Sequence, residues 1–379
     1  MPMQNPQKEN RSQEKIKVMG IGGCGCNTIS RLSALDLEGI ELIAVNTDSY
    51  ALSNCTADKV LILGQNITNG HGAGGDQQIG KIAAEESFKS IIECIQGADL
   101  LFLTAGLGGG TGSGAIEIIA RIAASLGILT ISNVTLPFSF EAEKRKNSAY
   151  EATIELQPFT NTLITVPNDR LMEFSDPNTP IKTTLGMSDD VLIKEIEGLS
   201  EILHSQGLLN IDFSHISKLM NLSGGTFISI GFGSGENRIN SAIQDALSHP
   251  LLEPIPIHQA QGIIVKLSGN IKIDEIDTIT TFFKDKTHSD VEILPVVEHK
   301  DFSNDQIKIA LILTGMGATP IDYPEKSEEV SIKINTNSKP IWENEETKTN
   351  SMPSFQNFKD DLEIPAFLRR GYNLEKQYN

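Results

Sequence analysis

The N-terminal half of the chain alternates short apolar runs with helical stretches, and this alternation restricts the possible folds more than any other feature. Helical periodicity occupies residues 76–96 and 113–126. Strands that alternate with helices favour a parallel sheet that is covered by helices on both faces. The runs that predict strands are 16–21, 40–45, 59–63, 99–105, 127–135 and 162–166. We therefore expect an α/β domain over this half of the chain.

The second half predicts a different organisation. An amphipathic segment at residues 188–206 predicts a long helix between the two halves. Shorter strands and helices follow it, which favours a smaller α+β domain, and the charged residues beyond predict a disordered linker. The predicted organisation is a disordered N-terminal tail (1–14), a first domain (15–187), a central helix (188–206), a second domain (207–318), a disordered linker (319–361) and a C-terminal partner-binding peptide (362–379).

Composition argues against several classes of protein. No window approaches the length of a membrane span, and the polar first residues lack the apolar core of a signal peptide, which predicts a cytoplasmic protein without direct membrane insertion. The formal net charge of −18 opposes binding to nucleic acid. The four scattered cysteines are expected to be reduced thiols. Cys24 and Cys26 form a C-x-C without a second ligand pair, so no metal site is predicted.

The stretch "GLGGGTGSG" (106–114) places six glycines in nine positions directly after the predicted strand 99–105. Glycine inside a helix or strand costs about 0.5 to 1 kcal/mol relative to alanine, so we expect this backbone to lie close to another group. The helical pattern that follows puts the glycines at a helix N-terminus, where free N–H groups and the helix dipole favour an anion. The stretch therefore predicts a phosphate-binding loop.

A second glycine stretch, "GIGGCGCN" (20–27), follows the first predicted strand and satisfies G-x-G-x-x-G, with Asp48 about twenty residues further on. This fingerprint makes a Rossmann dehydrogenase one hypothesis. A Rossmann half does not require the second loop at 106–114, whereas two phosphate loops on neighbouring strands suit a nucleoside triphosphate. A P-loop enzyme is excluded because the chain contains no G-x-x-x-x-G-K-[ST].

The motif "GGGTGSG" (108–114) resembles the signature of the tubulin/FtsZ family. Flanking motifs resemble those of FtsZ proteins in order and spacing from about residue 15 to residue 318, and the similarity resumes at "IPAFLRRG" (364–371). These flanking motifs are "GIGGCGCN", "AVNTD", "GAGGDQQIG", "PFSFEAEKR", "PNDRL", "SDDVL" and "GLLNIDF".

The resemblance implies a tubulin-like α/β fold, in which a parallel-sheet GTP-binding domain is joined by a long central helix to a smaller α+β domain, with disordered N- and C-terminal tails. It implies a cytoplasmic GTPase that uses Mg²⁺, polymerises head to tail, hydrolyses GTP at subunit interfaces and forms the bacterial division ring at mid-cell. It also implies that residues 362–370 bind an FtsA-like or ZipA-like membrane tether.

The resemblance assigns nucleotide-binding roles by position. Asp189 has an independent physical argument, because a carboxylate can accept both N1–H and N2–H₂ of guanine, whereas adenine presents a bare N1 acceptor there. The alternative is that Asp189 and Asp190 are acidic charges favoured by a helix dipole. The assigned residues are Gly22, Gly23, Gly25, Gly108, Gly109, Gly110, Thr111, Gly112, Ser113 and Gly114 for the phosphates, Ala73, Gly74 and Gly75 for the γ-phosphate, Glu141 and Arg145 for ribose and phosphate, and Asn27, Asn168, Leu185 and Asp189 for the nucleoside.

The implied catalytic residues lie in "GLLNIDFSH" (207–215) and are Asn210, Asp212 and His215. The family carries two aspartates three residues apart here, and His215 occupies the second position. Leu185 stands where the family usually has a phenylalanine against the base, and two cysteines replace glycines in the first loop. The lost carboxylate leaves two hypotheses open. The first is a GTPase with slow turnover, and the second is a filament or scaffold paralogue that binds GTP with little or no hydrolysis.

Overall fold

The computed structural model describes residues 14–316 except for residues 36, 38, 177, 204–211, 222–224, 249–255, 289–290 and 303–304. The predicted linker and C-terminal peptide therefore lie outside the described residues, as do the N-terminal tail up to residue 13 and the end of the predicted central helix. Asn210 lies outside them as well.

Six strands form the first sheet: β1 (Ile16–Ile21), β2 (Ile40–Asn46), β3 (Lys59–Ile62), β4 (Leu100–Gly106), β5 (Leu129–Leu136) and β6 (Thr162–Pro167). Their order is β3-β2-β1-β4-β5-β6, and every neighbouring pair is parallel. The prediction of a parallel sheet is confirmed. The direction of strand addition reverses between β1 and β4, and open α/β sheets bind ligands at such a switch point, beyond the carboxyl ends of the strands.

Helices connect these strands. The segment 76–96, predicted as one helix, forms two helices, because Ser87 leaves helical geometry and its hydroxyl accepts the N–H of Gly64 at 2.8 Å. The helices are α1 (Gly22–Leu32), α2 (Ser49–Ser53), α3 (Gln65–Thr68), α4 (Gln77–Glu86), α5 (Phe88–Ile95), α6 (Gly110–Ser125), α7 (Glu143–Leu156), α8 (Asn168–Phe174) and α9 (Ile181–Met187).

A second sheet follows the central helix α10 (Asp189–Leu203) and has the order β7-β10-β8-β9. Strand β10 is antiparallel to β7 and β8, and β9 is parallel to β8. The sheet is mixed and carries helices, as expected for the smaller α+β domain. Its elements are α11 (Phe213–Met220), β7 (Phe227–Gly233), α12 (Arg238–Leu247), β8 (Gly262–Ser268), α13 (Ile273–Lys286), β9 (Glu292–Glu298) and β10 (Ile307–Thr314).

Helix α10 shares one apolar core with both sheets. Its residues Ile196 and Leu199 belong to the same buried cluster as Phe102 of the first sheet and Ile264 of the second. At the far end of α10, the Lys266 ammonium donates to the backbone carbonyl of Glu201 at 2.7 Å, where the negative end of the helix dipole favours a cation. The central helix therefore contacts both parts of the protein.

Within the described ranges, no helix is long and apolar enough to cross a membrane. The same residues contain no group of three or more His, Cys, Asp or Glu side chains that could hold a metal ion.

Candidate nucleotide site

The two glycine stretches meet at the switch point of the first sheet. Helix α1 begins directly after β1, and α6 begins four residues after the end of β4. Neither helix has a side-chain cap at its N-terminus or an acidic residue in its first turn. A Cβ added to Gly22 would lie 3.0 Å from the backbone nitrogen of Gly112, so the two N-termini are neighbours. Their uncapped N–H groups and dipoles create a site for an anion.

Several of the predicted phosphate-loop glycines contact protein backbone. The helix starts at Gly110, so residues 110–114 are its first turns and only residues 107–109 form the loop. A Cβ on Gly114 would lie 2.1 Å from the carbonyl oxygen of Gln77, and one on Gly80 would lie 2.2 Å from that of Gly110. These glycines allow α4 and α6 to pack backbone against backbone. The sequence could not distinguish this use from the approach of a ligand.

Other glycines leave open space. No atom lies within 4 Å of a Cβ added to Gly23 or Gly109, apart from their own chain neighbours. Gly109 has φ −97° and precedes α6, and Gly23 lies in the first turn of α1. These two positions therefore leave room for a ligand phosphate to approach the helix N-termini.

The loop 107–109 is held by its own helix. Gly108 has φ +92°, a conformation that favours glycine, and its N–H donates to the Ser113 hydroxyl at 2.8 Å. Ser113 is buried, so its hydroxyl is engaged by this loop although the residue was assigned to the phosphates. Thr111 is half-buried, and its oxygen lies 2.7 Å from the hydroxyl oxygen of Thr47.

The segment assigned to the γ-phosphate lies beside α6. Gly74 and Gly75 have φ of +60° and +80°, and a Cβ added to either would meet no other atom within 4 Å. The Ala73 methyl would lie 2.9 Å from a Cβ added to Gly110. Asp76 closes the segment by accepting the N–H of Gln78 at 2.8 Å as the cap of α4. The structure thus brings this open backbone to the N-terminus of α6.

Glu141 and Arg145 lie at the same edge of the sheet. Their side chains form an ion pair at 2.7 Å, and Glu141 also accepts the N–H of Phe138 at 2.9 Å. The carbonyl oxygen of Arg145 is 2.8 Å from a Cβ added to Gly108, so α7 begins beside the phosphate loop. The guanidinium is half-exposed and supplies positive charge there.

Asp189 lies buried at the first position of α10, with 5% of its surface exposed. The hydroxyl of Thr28 donates to one carboxylate oxygen at 2.9 Å, and Arg31 donates to the other from its Nε. Both donors belong to α1, the helix that also carries the exposed Asn27. The sequence assignment missed Thr28 and Arg31. Each carboxylate oxygen keeps a second lone pair that a guanine donor can use.

Asn168 begins α8 directly after β6, at the carboxyl edge of the sheet. Its side chain is buried, and its Oδ1 has no hydrogen-bond partner among the described residues. Buried polar atoms almost always have a partner, so this acceptor fits a donor supplied by a ligand. Leu185 of α9 packs against the core near the start of α10. The predicted nucleoside residues therefore fit a polar base.

Asp212 and His215 do not lie beside the glycine N-termini. Asp212 is the N-cap of α11, and His215 is the third residue of that helix; both are exposed. They follow the far end of α10, about 22 Å along the helix from Asp189. The end of α11 contacts the amino edge of the first sheet, where Asn161 donates to Asn221 at 2.6 Å. One chain therefore does not bring these residues to its own phosphate site.

Comparison with known proteins identifies the fold family. The family described as "Tubulin/FtsZ family, GTPase domain" matches residues 15–176, and "FtsZ family, C-terminal domain" matches residues 224–317. The chain is 38% identical to cell division protein FtsZ 1 of Thermococcus kodakarensis over 318 residues, which are 84% of each protein.

Solved structures agree with this match. An empty FtsZ dimer of M. jannaschii superposes with a TM-score of 0.69 at 36% identity, covering 81% of this chain and 89% of that one. The GTPγS-bound protofilament of CetZ2 from Haloferax volcanii shares the fold, with a TM-score of 0.64 at 20% identity over 79% of this chain and 93% of that one. With both family domains matched in order, this chain belongs to the tubulin/FtsZ family and is a GTPase of its FtsZ branch.

Proposed function

We propose that this protein polymerises head to tail and hydrolyses GTP between subunits. The observation that carries the proposal is the separation of Asp212 and His215 from the glycine N-termini of the same chain. A second copy, stacked so that its α11 faces the phosphate site of the first, completes the site. Phosphoryl transfer depends on positioned groups, so turnover requires assembly.

Apolar side chains around the nucleotide edge support such an interface. Phe140 follows β5, is 66% exposed and stacks on Phe138 with ring centroids 4.9 Å apart. Met172 and Ile181 are also more than half exposed, on the helices that follow β6. Exposed aromatic and aliphatic residues of this kind are typical of the buried centre of a protein interface.

In the assembled site, Asp212 of one subunit orients the attacking water at the γ-phosphate of its neighbour. Asp212 would also help to hold a Mg²⁺ ion bound with the triphosphate, and that ion would supply positive charge to offset the charge of the phosphates. His215 offers an imidazole where the family has a second aspartate, so one carboxylate performs both tasks and hydrolysis is slow. The alternative is a GTP-binding filament or scaffold with little or no hydrolysis, favoured by the same substitution.

The cellular role follows from the similarity to cell division protein FtsZ 1. We place the filaments in the cytoplasm at the mid-cell division site. We propose that the C-terminal segment 362–370, which lies outside the described residues, binds an FtsA-like or ZipA-like tether. The spacing of Ile364, Phe367 and Leu368 in the sequence predicts the apolar face that would make this contact. No nucleic acid takes part.

Phosphate release measured against protein concentration tests the proposal. We expect turnover per subunit to be negligible below a threshold concentration and to rise above it, at the concentration where GTP produces sedimentable polymer. A diluted sample that hydrolyses GTP at the full rate per subunit contradicts catalysis between subunits. Polymer that forms with GTP but releases no phosphate identifies the scaffold alternative.

A further inference from the structure

Thr47 is a fully buried residue directly after β2, in the stretch "AVNTD". Its hydroxyl oxygen lies 2.7 Å from the hydroxyl oxygen of Thr111, in the first turn of α6. Thr111 is half-buried and belongs to the helix N-terminus that forms the phosphate site. A side chain with no exposure of its own therefore contacts a residue that a phosphate can reach.

The backbone of Thr47 holds it in place. Its N–H donates to the Asn46 side chain at 2.9 Å. Its carbonyl oxygen accepts the N–H of Gly72 at 3.1 Å and the hydroxyl of Thr68 at 3.2 Å. Gly72 immediately precedes the segment 73–75, in which Gly74 and Gly75 are exposed. Thr47 thus connects the two backbone segments that the sequence assigns to the phosphates.

The chemistry of two hydroxyls decides what this contact does. Each hydroxyl has one proton to donate, and in the pair only one of them can donate to the other. A phosphate oxygen is an acceptor, so Thr111 must point its own proton at the ligand. We propose that Thr47 is a positioning residue for the phosphates: its hydroxyl donates to Thr111 and so directs the Thr111 proton to a phosphate oxygen. The inference rests on GTP binding at α6.

A double-mutant cycle tests the proposal. Thr47→Val keeps the shape of the side chain and removes the donor, so GTP affinity, measured by isothermal titration calorimetry, should fall about three- to tenfold, the value of one hydrogen bond. Thr111→Val should lower it at least as much. Because Thr47 acts through Thr111, adding Thr47→Val to Thr111→Val should cause no further loss.

Two variants separate positioning from structure. Thr47→Ser keeps the hydroxyl and should restore parental affinity even if it lowers the thermal midpoint. Thr153→Val removes another buried threonine hydroxyl, which bonds the carbonyl of Ala149 within α7 rather than Thr47 or Thr111, and should leave affinity within twofold. Parental affinity in Thr47→Val, or a full additional loss in the double mutant, overturns the inference. Failure of the parent itself to bind GTP overturns nucleotide binding first, and the inference with it.

Discussion

The Arg31 guanidinium on α1 forms an ion pair with the Asp189 carboxylate at the start of the central helix. The carboxylate is buried, and its hydrogen bonds from Thr28 and Arg31 fix it beside α1, the helix whose N-terminus lies at the candidate phosphate site. A fixed carboxylate is what recognition of guanine requires, because the two ring donors are adjacent and point in one direction. The contact therefore supports a role for Asp189 beyond helix-end charge.

Asp189→Asn should lower GTP affinity at least about tenfold, since one acceptor oxygen becomes an amide donor and a charge-assisted bond of about 1.5 to 3 kcal/mol is lost. Calorimetry measures the change. Asp190→Asn is the matched control, because Asp190 is the exposed neighbour on the same helix turn. Equal affinities for the two variants would reduce Asp189 to a helix-end charge.

Two glycines of one stretch should respond differently to alanine. Gly114→Ala places a methyl 2.1 Å from a carbonyl of α4, so we expect a loss of about 1 to 3 kcal/mol in the free energy of unfolding. Gly109→Ala meets open space at φ −97°, so stability should be unchanged or slightly higher, while GTP affinity falls because the methyl occupies the path of a phosphate. Denaturant titration measures the free energy of unfolding, and calorimetry measures GTP affinity. If both variants lost stability and affinity to the same extent, the two glycines would not have different roles.

The first sheet was predictable because each strand is an apolar run that is bounded by polar or glycine residues, a pattern visible in a few neighbouring residues. The contact that each glycine makes could not be predicted, because it depends on which helix lies opposite that glycine. Gly114 reads like Gly109 in sequence, yet only Gly114 faces α4. Local patterns report local geometry, and helix crossings are set by tertiary packing.

In the candidate nucleotide site, too, local positions were predictable from the sequence and tertiary contacts were not. The position of Asp189 at a helix start follows from the sequence, but its partners Thr28 and Arg31 are 161 and 158 residues away along the chain. No spacing rule connects residues so distant. The resemblance already implied hydrolysis between subunits, but the distance of Asp212 and His215 from the phosphate site of their own chain required the structure, because the length and direction of α10 set it.

Glu195 makes stability depend on pH. Its carboxyl is fully buried between α10 and β5, with Asn133 as its hydrogen-bond partner at 3.1 Å, and burial raises its pKa to about 8. The folded protein therefore holds a proton that the unfolded chain releases near pH 4.5, so this contribution to stability is complete at low pH and is lost as pH rises to about 8. Glu195→Gln should therefore make the thermal midpoint depend less on pH between pH 5 and 8.

Differential scanning fluorimetry across that pH range measures the effect. Glu197→Gln, at an exposed position on the same helix, is the control and should follow the parental profile. If the thermal midpoint of Glu195→Gln changed with pH as much as that of the parent, groups other than Glu195 would set the pH dependence.

Deletion of residues 362–379 should leave GTP-dependent assembly intact and abolish binding to an FtsA-like or ZipA-like tether, because the proposed apolar face and Arg369 and Arg370 are removed. Co-sedimentation of the tether with polymer measures this. Deletion of residues 371–379 alone should preserve binding. Tether that still pellets with the longer deletion places the binding surface elsewhere.

His215 decides between slow turnover and none. His215→Asp restores a second carboxylate on the exposed first turn of α11, three residues from Asp212, where both side chains can reach one water. One positioned catalytic group is worth about a hundredfold or more at full efficiency, so we expect GTP hydrolysis by assembled protein to rise at least about tenfold. His258→Asp, at an exposed position of the second domain, should leave turnover unchanged. If polymer of His215→Asp hydrolyses GTP no faster than the parent, Asp212 alone carries the chemistry and the histidine does not limit the rate.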